Sequence, residues 1–171
     1  LEKNKTNAIK YARNCEFAMK AIKNPVSFDP ESAGNSINTI NDEYWPSITA
    51  DGQTMIFTRQ SSPGDNQSSH GLVQEDFYIS YFSDNSWQKA FNAGSPLNTM
   101  QNEGAQTLSS NGSYMFFTAC DRPGGLGSCD IYFSSLNGGK WTEPVNLRSP
   151  VNSPSWESQP SISADGKTLF F

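Results

Sequence analysis

Hydrophobic and polar positions follow one pattern that returns three times along the chain. A short run of alternating residues leads to an Asp-Gly or Asn-Gly pair, and an aromatic-ended run follows, at residues 45–57, 105–117 and 159–171. Such a pair between two apolar runs is the strongest short hairpin signal, because a type I′ turn needs positive φ at both central residues. The pattern therefore predicts a β-hairpin at the same place in each of three repeats.

The repeat extends well beyond these hairpins. Asp76–Ser80 returns at 130–134, Trp87 returns at 141, and 96–99 returns at 150–153. A hairpin, a third strand and a Trp-led fourth segment in a period of about 50 residues are typical of a β-propeller blade. The alternative is a sandwich of seven or more strands, but sandwiches do not repeat at a fixed period. We predict an all-β fold, a partial β-propeller of two four-stranded antiparallel blades plus the first hairpin of a third, preceded by one α-helix.

The first residues carry a different pattern. Apolar residues at positions 8, 11, 12, 15, 18, 21 and 22 have the spacing of one helical face, and Asn24-Pro25 ends the helix. This helix either packs on the β domain or is the last helix of a helical-repeat domain. Cys15 lies on the apolar face, so we expect a buried free thiol.

These patterns divide the chain into three parts. We assign residues 1–24 to the amphipathic helix, 25–40 to a linker that leads into the propeller, and 41–171 to the propeller, with repeats starting near 44, 104 and 158. A propeller needs at least four blades to close, and these residues hold about two and a half. We expect a fragment whose remaining blades follow Phe171.

Composition and charge exclude several classes of protein. Only 17% of residues are charged while 12% are aromatic, which argues against disorder. The net charge is −5; residues 1–23 carry six Lys or Arg and two Glu, a net of +4, so the remainder carries −9. An acidic chain without a basic stripe is a poor candidate for nucleic acid, and no run of about 18 apolar residues could span a membrane as a helix.

The repeats resemble a known family. Residues 36–171 are similar to the PD40, or WD40-like, propeller repeat, above all in the stretch 160–171 and its copies. The stretches 41–47, 101–107, 117–120 and 127–132 more closely resemble Bacteroidetes OmpA-family, PorE-like envelope lipoproteins, in which TPR repeats precede the propeller and an OmpA-like domain follows it.

This resemblance implies a non-enzymatic protein-binding platform in the periplasm, associated with the outer membrane. Its partners would be outer-membrane proteins or type IX secretion system components. It implies peptidoglycan binding and lipid attachment only through parts of a parent protein outside this chain.

Cys120 and Cys129 flank an eight-residue loop at facing ends of two predicted strands. A disulfide there would join the strands, contribute ~2–3 kcal/mol, and indicate an oxidising compartment. Two reduced thiols are the alternative. A zinc site is not indicated, because the chain has one His and the cysteine spacing is wrong.

Candidate binding residues are few. Trp45 and Trp156 do not align with one another, so we expect a surface role for them, whereas Trp87 and Trp141 repeat and are expected in the blade cores. Glu43, Glu103 and Glu157 occupy one repeat position. Because these residues recur in every blade, we expect hydrogen bonding within each blade, with binding in the central channel as the alternative.

No catalytic residue, cofactor or metal is predicted. His70 stands in a polar loop beside several Ser residues, a poor platform for a nucleophilic triad. Calcium near Asp65-Asn66 or Asp121 is a minor alternative without EF-hand spacing. The alternative function is a glycan-binding or glycan-cleaving propeller; a serine-peptidase propeller would need a hydrolase domain with a Gly-x-Ser-x-Gly elbow, which this sequence lacks.

Overall fold

The structure is a computed structural model that describes residues 2–61 and 73–171. These residues form two compact units that divide between Ser32 and Ala33. The boundary falls inside the predicted linker 25–40. The end of the predicted linker belongs to the second unit, because Ile37 is only 4% exposed and is part of the hydrophobic core of that unit.

The first unit contains one helix, α1, at Glu2–Lys23. It ends where Asn24 donates both its backbone and side-chain N–H groups to the carbonyl of Lys20, just before Pro25. The expectation of a buried Cys15 is wrong, since this thiol is exposed. Apolar residues of the helix such as Phe17, 73% exposed, are also uncovered, because the described part of this unit offers no second element to pack against.

In the described part of the chain, no helix combines the length and apolar character that a membrane crossing requires.

The second unit is built from short antiparallel strands. The first blade contains β1 (Asp42–Ile48), β2 (Thr54–Ser61), β3 (Gln74–Ser83), β4 (Ser86–Trp87) and β5 (Phe91–Asn92). The second contains β6 (Glu103–Leu108), β7 (Tyr114–Cys120), β8 (Cys129–Asn137), β9 (Lys140–Trp141) and β10 (Val145–Asn146). The third repeat contributes β11 (Ser161–Ile162) and β12 (Leu169–Phe170).

The predicted partial propeller is confirmed. In each blade the first three strands pair in sequence order, and the third also pairs with the fourth segment. That fourth segment is not one strand: β4 and β5 each pair separately with β3, and β9 and β10 with β8. The third repeat shows only its first hairpin, β11 with β12.

The hairpins form where predicted, but the type I′ turns lie elsewhere. In Thr49–Gly52 the glycine donates to the Thr49 carbonyl at 2.8 Å, and only Gly52 of the Asp-Gly pair has positive φ. The Asp51 carboxylate instead accepts from Thr49 Oγ1 and the Gln53 N–H, which holds Asp51 at negative φ. Positive φ at both central residues occurs between β3 and β4, and at Gly138 and Gly139 between β8 and β9.

Two hydrophobic clusters form the core. The larger lies between the blades and joins Ile56, Phe77 and Ile79 of the first blade to Met115 and Phe117 of the second, with Leu97 of the connection between them. The smaller covers the opposite face of the first blade with Ile37, Met55, Phe57, Tyr78 and Ala90. Trp87 and Trp141 are partly buried against these clusters.

Candidate functional site

The three repeated glutamates serve the turns that lead into each blade. Glu43 accepts from the backbone N–H and hydroxyl of Thr39, Glu103 does the same with Thr99, and Glu157 with Ser153. The Glu43 and Glu103 side chains are 7% and 0% exposed. Their oxygens are occupied within the blade, so the geometry favours a structural role over a binding site.

Two of these glutamates pair with a buried arginine. Arg59 Nε lies 2.8 Å from Glu43 Oε1, and Arg122 Nη2 lies 3.0 Å from Glu103 Oε1. Burial raises the pKa of the Glu103 carboxyl, while hydrogen bonds from Thr99 and the charge of Arg122 oppose that rise. Each arginine therefore supplies a counter-charge to a buried carboxylate within its own blade.

The two unaligned tryptophans, by contrast, line one groove. Trp45 and Trp156 are 46% and 62% exposed, and both face a groove of about 210 Å³. A neighbouring depression of about 310 Å³ shares Trp156 and Gln159 with it, so the two form a continuous surface. We call this surface the tryptophan groove.

A β-bulge directs Trp45 out of its strand. The pairing of β1 with β2 shifts register between Tyr44 and Ser47, and Trp45 has a φ of 53°. The equivalent residues Ala105 and Gln159 also have positive φ, and the pairing of β6 with β7 shifts register at the same place. Gln106 of the second blade holds the Trp45 carbonyl through its side-chain amide at 2.5 Å. Bulges re-aim side chains in this way.

Trp156 is held in place by the second blade. Its segment follows the end of β8: the Glu157 N–H donates to the Cys129 carbonyl at 3.1 Å, and the Ser128 N–H donates to the Ser155 carbonyl at 3.2 Å. Cys129 forms a disulfide with Cys120. Gly127 allows this close approach, because a Cβ at that position would overlap the Ser155 carbonyl. The indole of Trp156 therefore projects from a fixed backbone.

A tyrosine and a carboxylate complete the groove. The Tyr44 hydroxyl donates to Glu75 Oε1 at 2.5 Å, and the Glu75 backbone N–H donates to Asn102 Oδ1 at 3.1 Å. Burial, followed by the hydrogen bond to Glu75, raises the pKa of Tyr44 above its ordinary value. The tyrosine thus stays protonated and remains a donor to Glu75.

Two other depressions lie on the propeller. One of about 890 Å³ is open and includes Asp76, Lys89 and Phe91; the buried Tyr78 at its wall has a hydroxyl without a hydrogen-bond partner among the described residues. The other, of about 570 Å³, includes the hairpin residues Asp51 and Asn111. Neither brings two of the candidate binding residues together.

Several residues that matter were not singled out from the sequence. Arg59 carried a signal, since it is two residues from Phe57 and so shares its face of the strand. Arg122, Tyr44 and Glu75 carried no comparable signal, because each acquires its role from a neighbouring strand or loop.

Calcium binding was a minor alternative of the sequence analysis. Across residues 2–61 and 73–171, no group of three or more His, Cys, Asp or Glu side chains is arranged to hold a metal ion. The loop with His70 and Asp65-Asn66 lies outside the described residues.

Comparisons with known proteins found similarity to solved structures alone. No family model matches the chain, and no curated protein matches it. Among solved structures, TolB from Acinetobacter baumannii is 20% identical, with a TM-score of 0.45, and the match covers 73% of this chain. The chain spans only about 25% of that protein's length.

Proposed function

We propose that this chain is part of a non-enzymatic protein-interaction platform in the cell envelope, and that the tryptophan groove is its contact surface. The observation that carries the proposal is the convergence of Trp45 and Trp156, two exposed indoles from different repeats, on one groove with fixed walls. Tryptophans on a rigid surface are common anchors of protein interfaces, because they bury much area at little entropic cost.

The compartment and the parent protein form the finer part of the proposal. The Cys120–Cys129 disulfide supports an oxidising compartment, which for an envelope protein is the periplasm. The repeat motifs support an outer-membrane-associated, OmpA-family parent of the PorE-like kind, including a type IX secretion component. Peptidoglycan would be bound by a domain outside this chain.

The test is site-directed photocrosslinking in the envelope. A photoreactive phenylalanine analogue replaces Trp45 or Trp156 in one sample and Phe91, also 46% exposed but outside the groove, in the control. We expect the same protein to be captured from both tryptophan positions and not from position 91. The affinity of that purified partner for Trp45→Ala, Trp156→Ala and Phe91→Ala then decides. Equal affinity for all three would remove the groove from the proposal.

Glycan binding is the second candidate function. Indoles stack on sugar rings, and Glu75, Asn102 and Gln159 add polar groups to the groove. This function predicts that a soluble peptidoglycan fragment raises the melting temperature, and that Trp156→Ala abolishes the rise. Glycan cleavage would need two carboxylates at a matched separation. Among the described residues that line the tryptophan groove, the carboxylates are Glu75 and Glu157, and Glu157 already accepts hydrogen bonds from Ser153.

A further inference from the structure

We propose that the tryptophan groove binds a cationic side chain, arginine or lysine, carried by an extended segment of the protein partner. The inference rests on the proposed function and names the chemistry of the partner at the same site.

The charge of the groove favours a cation. Among the described residues that line it, Glu75 is the single charged group of the 210 Å³ part. The sequence from residue 24 onward carries a net charge of −9, since the whole chain has −5 and residues 1–23 have +4. Complementary charge steers association and selects against acidic partners.

The aromatic walls favour the same ligand. A guanidinium or ammonium group is attracted to the face of an indole, and this attraction is strongest for Trp among the aromatic residues. Trp45 and Trp156 provide two such exposed faces, and the carboxylate of Glu75 lies in the same groove. Aromatic faces combined with a carboxylate match a cation better than a neutral or anionic group.

The carboxylate is preorganised for this contact. The Tyr44 hydroxyl binds Glu75 Oε1 at 2.5 Å, and Asn102 fixes the Glu75 backbone. The raised pKa of Tyr44 keeps its proton in place over the physiological range. A carboxylate held by a neutral donor keeps its charge available to a ligand, and a prearranged site loses little entropy on binding.

The size of the groove indicates how much of the partner enters it. A volume of about 210 Å³ is smaller than the ~300–1,000 Å³ of typical small-molecule pockets, so it suits one side chain. The adjoining 310 Å³ depression shares Trp156, Ser158 and Gln159 with it and extends the surface along which flanking residues would lie. An extended segment that presents one cation fits both parts.

The experiment uses the chain described here and short blocked peptides of sequence Gly-X-Gly, in which X is Arg, Lys, citrulline or Glu. Binding is followed by NMR through the indole N–H signals of the four tryptophans at low salt. We expect the Arg and Lys peptides to shift the Trp45 and Trp156 signals and to leave those of Trp87 and Trp141 in place. Citrulline, which has the shape of arginine without its charge, should not bind measurably.

Three variants sharpen the test. Glu75→Gln keeps an acceptor for Tyr44 but removes the charge, and Trp156→Ala removes one aromatic face; each should weaken binding of the Arg peptide by roughly threefold or more. Phe91→Ala is the matched aromatic control and should bind as the unmodified chain does. Circular dichroism checks that all variants remain folded.

The outcomes separate the inference from the proposed function. Equal binding of the citrulline and Arg peptides, or no shift at either exposed indole, overturns the cation proposal. If the crosslinked partner still needs Trp45 and Trp156 but is insensitive to Glu75→Gln, the platform stands and the cation proposal fails. If the partner needs neither tryptophan, the proposed function fails whatever the peptides do.

Discussion

The two blades stabilise the same buried site with arginines from different positions in the repeat. In the first blade Arg59 contacts Glu43 and the Ile37 carbonyl, and its guanidinium carbon lies 4.1 Å from the centre of the Tyr78 ring. In the second blade Arg122 contacts Glu103 and the Leu97 carbonyl, 5.3 Å from the Tyr132 ring. Apart from the arginines, the partners are equivalent in the repeat.

The arginines themselves are not equivalent. Arg59 lies in β2 and pairs directly with Glu43, whereas the matching residue of the second blade is Ala119, opposite Glu103. Arg122 instead reaches the site from the loop after β7, which the Cys120–Cys129 disulfide closes. The glutamate, the carbonyl and the two rings thus define where a cation belongs, and the chain can supply it from a strand or from a tethered loop.

The largest effect is expected from removal of either arginine. Arg122→Ala leaves the fully buried Glu103 without its counter-charge, which typically costs ~3–5 kcal/mol of unfolding free energy. Arg59→Ala should cost a similar amount. Urea unfolding measures both, with Lys89→Ala as an exposed control that should change stability by less than about 0.5 kcal/mol. Losses near that of Lys89→Ala would mean that the pairs contribute nothing to the blades.

The pH dependence of the Arg122→Ala loss gives an internal check. The folded pKa of Glu103 is raised above the ordinary 4.5, so the folded state holds this proton more tightly than the unfolded state. Its contribution to stability is fully present below about 4.5 and is lost as pH rises through the folded pKa. Removing Arg122 raises that pKa further, so the variant should lose most stability at neutral pH and least at low pH. A loss independent of pH would contradict this assignment.

Reduction of the Cys120–Cys129 disulfide should weaken the second blade and leave the first unaffected. A dithiol reductant gives two electrons and two protons to the disulfide, yields two thiols, and becomes a disulfide itself. Because the opened loop gains conformational freedom in the unfolded chain, reduction should lower the free energy of unfolding by ~2–3 kcal/mol. Hydrogen exchange should show lost protection at the Gly125 and Leu147 amides, which donate to the Arg122 and Ile131 carbonyls of the second blade, with the β2–β3 amides unaffected. Uniform loss in both blades would show that the disulfide does not act locally.

A transplanted arginine should make the second blade resemble the first. Ala119→Arg combined with Arg122→Ala places the cation on the strand opposite Glu103, as Arg59 is placed opposite Glu43. We expect recovery of about half of the Arg122→Ala loss, because coupled residues restore interaction energies of ~0.5–3 kcal/mol. Urea unfolding of the single and double variants measures the recovery. A double variant less stable than Arg122→Ala would show that the site accepts the arginine only from the loop.

The smallest effect concerns the hairpin turns. Asp51 and Asn111 accept equivalent hydrogen bonds from Thr49 and Ser109, but only Asp51 can titrate. The hydrogen bond from the Thr49 hydroxyl, followed by the one from the Gln53 backbone N–H, lowers the pKa of Asp51 below its ordinary 3.8. Its contribution is therefore present above about 3.8 and is lost as pH falls through the lowered pKa. Asp51→Asn should remove a small part of the acid dependence of the melting temperature, and an unchanged acid dependence would contradict this.

Local signals in the sequence were sufficient for the repeat architecture. The Asp-Gly and Asn-Gly pairs mark hairpins that form in all three repeats, since glycine adopts positive φ at each. The prediction of type I′ turns at these pairs was wrong, because the Asp51 carboxylate accepts hydrogen bonds from Thr49 and Gln53, which the dipeptide alone does not reveal. The fourth strand divides into two pieces, which the Trp-led pattern of the sequence did not predict.

The candidate site was predictable only in part. The failure of Trp45 and Trp156 to align marked them as surface residues, but nothing in the sequence brings them together. They meet because a bulge turns Trp45 out of β1, and because the disulfide-closed end of β8 holds the Trp156 segment. Glu75 joins them through a hydrogen bond to Tyr44 from a neighbouring strand.

The sequence by itself determined the period of the chain, its hairpins and its antiparallel blades, because backbone preference and the two-residue alternation of strands are local properties. Only the tertiary structure decided which arginine neutralises which glutamate and which indoles share a groove. The ion pairs depend on which strand or loop of a blade lies beside each glutamate, and the shared groove depends on the packing of one repeat against the next.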